Sequence, residues 1–173
     1  MVELRNNTSE DNSQKVHKNT KPVRLSELVG EMELQFDGMY SFLDLVTGNI
    51  VSVSDEEFRA AEGEHPLDDY PDWQHELIDL ARDIEDDVGR YIALPTRFDI
   101  HEYSIMENFC LSLEDDRLSK EMYSAIKGHG AFRRFKDSIR QHGIEDEWYS
   151  FKSNALREIA VAWCERNGIR CVD

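Results

Sequence analysis

Apolar positions along this chain recur mostly at helical spacing, broken once by a stretch that alternates as a strand pair does. Leu25, Leu28, Val29, Met32 and Phe36 share one helical face, with Ser26 as N-cap and Asp37-Gly38 as the stop. Tyr40 to Val46 is β-branched and aromatic, Thr47-Gly48-Asn49 is a tight turn, and Ile50 to Val53 returns, which predicts a β-hairpin. Ser54 and Glu57 have capping-box spacing for a short helix to about Ala61, because the hydroxyl accepts from the backbone while Glu57 reaches back. Glu62 to Asp69 is an acidic connection. Pro71 fits a first helical position, and Trp73, Leu77, Leu80, Ala81, Ile84 and Val88 mark a long amphipathic helix stopped at Gly89.

Tyr91 to Leu94 is a candidate extended segment before Pro95. Asp99 and Glu102 have capping-box spacing for a helix lined by Tyr103, Met106, Cys110 and Leu113. Asp115 or Asp116 opens the next, with Leu118, Met122, Ala125 and Ile126 on its apolar face and Gly128 as its stop. Gly130 starts a short helix through Phe132, Phe135 and Ile139 that Gly143 closes. The last helix runs from about Glu145 to Asn167, with Trp148, Phe151, Ala155, Ile159 and Trp163 along it and Gly168 beyond its end. The predicted fold is α+β and mostly α: about six helices and one antiparallel hairpin in a single domain, 23–173. Residues 1–22 carry almost no apolar anchors and are expected to be a disordered tail.

Charge changes this picture. The formal net charge is −16 and uneven: residues 24–94 carry 4 basic and 19 acidic groups, residues 95–173 carry 12 and 14. An acidic middle repels nucleic acid, yet a polarised protein still has room for a local basic patch. No apolar run approaches the ~20 residues a membrane span needs, and the N-terminus has no secretory leader pattern. The three cysteines, Cys110, Cys164 and Cys171, are odd in number and lack C-x-x-C spacing, which fits a reducing cytoplasm, and Cys110 and Cys164 lie among apolar helix positions as buried free thiols do. There is no phosphate-binding Walker loop, Rossmann fingerprint, nucleophile elbow or H-E-x-x-H pair. No cofactor or metal is called for.

The residues with most chemistry lie at 128–140. Gly128 and Gly130 bracket His129 just before a helix start, where unpaired N–H groups and permissive glycines make an anion site. Arg133, Lys136 and Arg140 share one helical face, and Arg134 points to neither that face nor the apolar one. Guanidinium forks suit phosphate oxygens, so RNA or a nucleotide is a reasonable ligand for Gly128, Gly130, Arg133, Arg134, Lys136 and Arg140. The structural alternative is that Asp137 pairs with these cations and the phenylalanines are core. A catalytic version makes His129 the acid or base of a metal-independent ribonuclease. A different class of function uses Glu76, Asp79 and Asp83, on the solvent side of the long helix with His75 nearby, to dock on a basic protein partner or to imitate the charge of a nucleic acid. His65, His101 and His142 suggest connections or caps. Trp73, Trp148 and Trp163 suggest core packing.

Three runs carry a resemblance. They are Arg97-Phe98-Asp99-Ile100-His101-Glu102-Tyr103 onward to Phe109, Gly128-His129-Gly130-Ala131-Phe132-Arg133-Arg134-Phe135-Lys136-Asp137, and Trp148-Tyr149-Ser150-Phe151 with Ala155 to Ala160 and Trp163-Cys164. Together with the hairpin from Phe42 to Glu57, they resemble the bacterial uncharacterised protein family 0158 over roughly residues 25 to 169. The resemblance implies no activity, cofactor or catalytic residue.

Overall fold

The computed structural model describes residues 21–63, 66–86 and 89–173. A two-residue strand β1 (Val23–Arg24) leads directly into α1 (Leu25–Glu33). Then follow β2 (Met39–Asp44), β3 (Ile50–Ser54) and α2 (Asp55–Glu62). A 3₁₀ turn at Leu67–Asp69 precedes α3 (Asp72–Asp86) and β4 (Tyr91–Ala93). The C-terminal half is helical: α4 (Arg97–Ile100), α5 (Glu102–Ser112), α6 (Asp116–Ala125), α7 (Ala131–His142) and α8 (Glu145–Arg166). A final strand β5 (Cys171–Val172) pairs parallel with β1, joining the first and last described strands.

The hairpin gains β4 and becomes a three-stranded antiparallel sheet ordered β3-β2-β4, with β2 at its centre and Phe42 opposite both Val51 and Ala93. A two-stranded hairpin is marginal alone, and here β4 and helices on both sides support it. Leu43 faces the main core with Leu28 and Met32 of α1, Met106 and Phe109 of α5, and Leu156 and Trp163 of α8. Val53 belongs to the opposite face, which α2 and α3 cover with buried Ala60, Ile78 and Ala81. Buried Glu57 of α2 accepts from Ser54 at its own helix start and from buried Gln74 of α3, so its carboxylate is satisfied inside an apolar layer. On the helical side Phe135 of α7 meets Trp148 edge-on at 4.7 Å, and Phe109 meets Trp148 at 5.3 Å and Phe151 at 5.4 Å. That ring cluster fixes α7 against α5 and α8, and each such pair adds about 0.5–1.5 kcal/mol beyond burial.

Local signals hold where they stand alone. Ser54–Glu57 forms a full capping box, Asp115 caps α6 through the N–H groups of Arg117 and Leu118, and Gly143 and Gly168 adopt positive φ past α7 and α8. Elsewhere the structure departs from expectation. Helix α1 starts one residue before Ser26 and stops at Glu33, leaving Phe36 outside it and 68 % exposed. Trp73 is exposed because α3 turns Gln74, Ile78 and Ala81 inward. The box near residue 99 is Thr96–Asp99, not Asp99–Glu102, and opens the short α4; His101 then takes φ 50° between α4 and α5. Tyr103 is exposed, while Ile105 and Phe109 join Met106 and Cys110 in the core. Residues 1–20 of the tail expected over 1–22, together with His65 and Val88, lie outside the described residues.

Candidate functional site

The bend between α6 and α7 is built by two left-handed glycines, Gly128 at φ 77° and Gly130 at φ 73°, a conformation that costs other residues roughly 1–2 kcal/mol. Arg134 holds it. Its Nε donates to the Ala125 carbonyl at 3.0 Å and its terminal nitrogens donate to the carbonyls of Lys127 at 2.6 Å, Gly128 at 3.4 Å and His129. These include carbonyls left without partners where α6 ends, so the guanidinium caps the C-terminal end of that helix. Arg134 is therefore a positioning residue of the bend, and its donors are spent within the protein.

The other cations of the run face outward. The Arg133 side chain is 90 % exposed and lies 4.0 Å from Asp137, at the limit of an ion pair. That of Arg140 is 70 % exposed and lies 3.6 Å from Glu145. Lys136 is exposed and sits over the Phe132 ring at 5.4 Å. Exposed pairs of this kind contribute about 0–1 kcal/mol, so an outside anion displaces them at little cost. His129 is exposed, and its imidazole makes no hydrogen bond or ion pair among the described residues. The first turn of α7 carries no acidic residue. None of residues 128–140 lines either of the two hollows described below.

The most apolar of those hollows has no counterpart among the sequence motifs. Helix α1 ends at Glu33, and β4 ends at Ala93, where Pro95 lacks the N–H needed to extend the ladder and the Thr96–Asp99 box diverts the backbone into α4. Strand β2 begins earlier, at Met39, so space stays open beside its first residues. The result is a cleft of about 490 Å³ walled mostly by Leu34, Phe36, Met39, Phe42, Leu94 and Phe98. Gln35 donates to the Pro95 carbonyl and Arg97 pairs with Asp37 across its rim. Ser41 and Ser52 share a hydrogen bond of 2.9 Å on its floor. A more polar cavity of about 410 Å³ lies between Thr96, Asp99 and the end of α8 at Trp163 and Arg166. The signal of the cleft in the sequence is a group of aromatic residues: Phe36 lies between α1 and β2, and Tyr40 and Phe98 are the second residues of β2 and α4.

The acidic candidates Glu76, Asp79 and Asp83 all lie exposed along α3, with Asp79 paired to Arg82 at 3.1 Å. His75 does not join them: its Nε2 is 2.8 Å from the Tyr70 carbonyl and ties the 3₁₀ turn to α3. Burial pushes the Cys110 thiol up to about 11 and, with Cys171 beside it, the Cys164 thiol up to about 12. Neither thiol is a nucleophile at neutral pH.

These features describe a mostly helical α+β protein with a small three-stranded sheet, an exposed basic ridge and an apolar cleft. The profile of an uncharacterised protein family, UPF0158, matches residues 19–173, and the chain belongs to that family. It is 22 % identical over 138 residues to the UPF0158 protein PA5073 of Pseudomonas aeruginosa, covering 79 % of this chain and 78 % of that one. No solved structure matches it. No helix among the described residues is long and apolar enough to cross a membrane.

Proposed function

We propose that this is a binding protein that holds an extended phosphate polyanion, an RNA backbone, against the exposed face of α7. The observation that supports this reading is the division of labour between neighbouring arginines. Arg134 spends its donors on the Gly128–Gly130 bend, while Arg133 and Arg140 keep side chains that are 90 % and 70 % exposed on one helical face with Lys136. Exposed cations spaced along a helix face, outside both hollows, favour a strand lying along them over a nucleotide enclosed in a pocket. His129 would donate to phosphate from the bend. Its lack of an orienting carboxylate among the described residues supports binding more than ribonuclease chemistry. The exposed stripe Glu76, Asp79 and Asp83 supports the alternative of a basic protein partner.

Fluorescence anisotropy with a labelled mixed-sequence single-stranded RNA tests the reading. Binding at low salt is expected, with a log–log salt slope of about −2 to −3 for three to four neutralised phosphates. The double variant Arg133→Glu/Arg140→Glu, shown folded by circular dichroism, should bind at least about tenfold more weakly. Absence of binding at low salt, or equal binding by the double variant, rejects it.

A further inference from the structure

We infer that the cleft beside β2 is the contact surface between two copies of this protein, each inserting Phe98 into the other's cleft. This goes beyond the anion surface and does not depend on it. The structure places a knob and a hole on the same face. Phe98 is 85 % exposed, the most exposed of the large apolar side chains described, and it stands on the short α4 at the rim of the cleft. Leu34 and Phe36 opposite it are also mostly exposed. A monomer gains nothing from three such groups in water around an apolar hollow, and patches of this kind mark contact surfaces. A patch that carries both its own knob and its own hole is self-complementary, which is what a two-fold interface requires: Phe98 meets the wall at Leu34 and Phe36 of the second copy, and the reverse contact follows by symmetry.

Area and charge agree. Aromatic side chains offer about 150–250 Å² each, so Phe36, Tyr40 and Phe98 at 68, 44 and 85 % exposure leave roughly 400 Å² of ring surface in water. Two copies cover about twice that, and Leu34 and Met39 bring the total toward the ~1,200 Å² at which specific interfaces begin. The rim carries one exposed cation, Arg97, beside one exposed anion, Asp37. Across a two-fold axis each can pair with its opposite in the second copy. The net charge of −16 opposes association, so the dimer should strengthen as salt screens that repulsion.

Sedimentation velocity of the full-length protein across the micromolar range is the test. A concentration-dependent monomer–dimer equilibrium is expected, shifted toward dimer by added salt. Phe98→Asp should abolish the dimer with the thermal unfolding midpoint of the monomer retained, because the ring is in water there. Phe36→Glu, on the facing wall, should do the same. Tyr149→Asp, at an exposed aromatic residue of α8 away from the cleft, should leave the equilibrium unchanged. A protein that stays monomeric at every concentration and salt overturns the inference. So does a dimer that survives Phe98→Asp and Phe36→Glu, or a monomer found with a small apolar molecule in the cleft.

Discussion

Asp44 shows how one buried charge is made tolerable. Burial alone would raise its carboxyl, but the Arg90 guanidinium at 3.0 and 3.1 Å, the Val46 N–H at 2.9 Å and the Thr47 hydroxyl at 2.9 Å hold it down at about 2. That arrangement ties the hairpin turn to the residue before β4. A carboxyl depressed below its unfolded value of about 3.9 stabilises fully above that value and progressively less as pH falls toward 2. Asp44→Asn should therefore lower stability at pH 7 by on the order of 2 kcal/mol and remove that share of acid sensitivity between about pH 4 and 2. Urea unfolding at stepped pH reads both effects, and parallel pH profiles for parent and variant would contradict them. The cysteines give a second residue-scale expectation. With Cys110 and Cys164 raised to about 11 and 12 by burial, a native thiol assay at pH 8 should label at most one fast-reacting cysteine per molecule among the described residues. That thiol is the half-buried Cys171, and three fast-reacting thiols would refute the assignment.

The junction of α6 and α7 depends on a planar fork rather than on charge. Arg134→Ala removes a cap from several carbonyls at once and should cost about 1–3 kcal/mol. Arg134→Lys should recover little of it, because an ammonium cannot reach carbonyls on both sides of the bend as the guanidinium does. Thermal melts of both variants check this, and full rescue by lysine would show that a single donor suffices. The sequence displays the cassette but not this role, since the carbonyls lie five to nine residues back, around two left-handed glycines. Elements whose signals are local are legible: the Ser54 box, the Asp115 cap, the glycines after α7 and α8. Where two local signals overlap, spacing alone misleads. Asp99 fits both as the third residue of a box opened by Thr96 and as the cap of a box closed by Glu102, and Pro95 is the cue for the first. Trp73 suits an apolar stripe by spacing, but α3 buries Gln74, Ile78 and Ala81 instead, and the indole faces water.

At the scale of the whole molecule, what escapes the sequence is what distant segments make together. The parallel pair β1–β5 is two residues long and joins the first and last described strands, Val23 to Cys171, too short for any pattern to announce. The cleft exists because β4 ends opposite Phe42, short of the start of β2 at Met39, a mismatch visible only once the strands are in register. The charge asymmetry is legible, and the fold sets it out on separate elements, with carboxylates along α3 and guanidinium groups along α7. On the proposed reading the α7 face takes an outside polyanion, and on the further inference the cleft takes a second copy. Amide and arginine Nε chemical shifts, recorded as single-stranded RNA is added to the ¹⁵N-labelled protein, test the first assignment most directly. Shifts are expected to concentrate at residues 128–133 and at the Nε groups of Arg133 and Arg140, with the Arg134 Nε unmoved on its carbonyl. Shifts confined to the cleft residues 34–41 and 93–98, or an unchanged spectrum at saturating RNA and low salt, would contradict it.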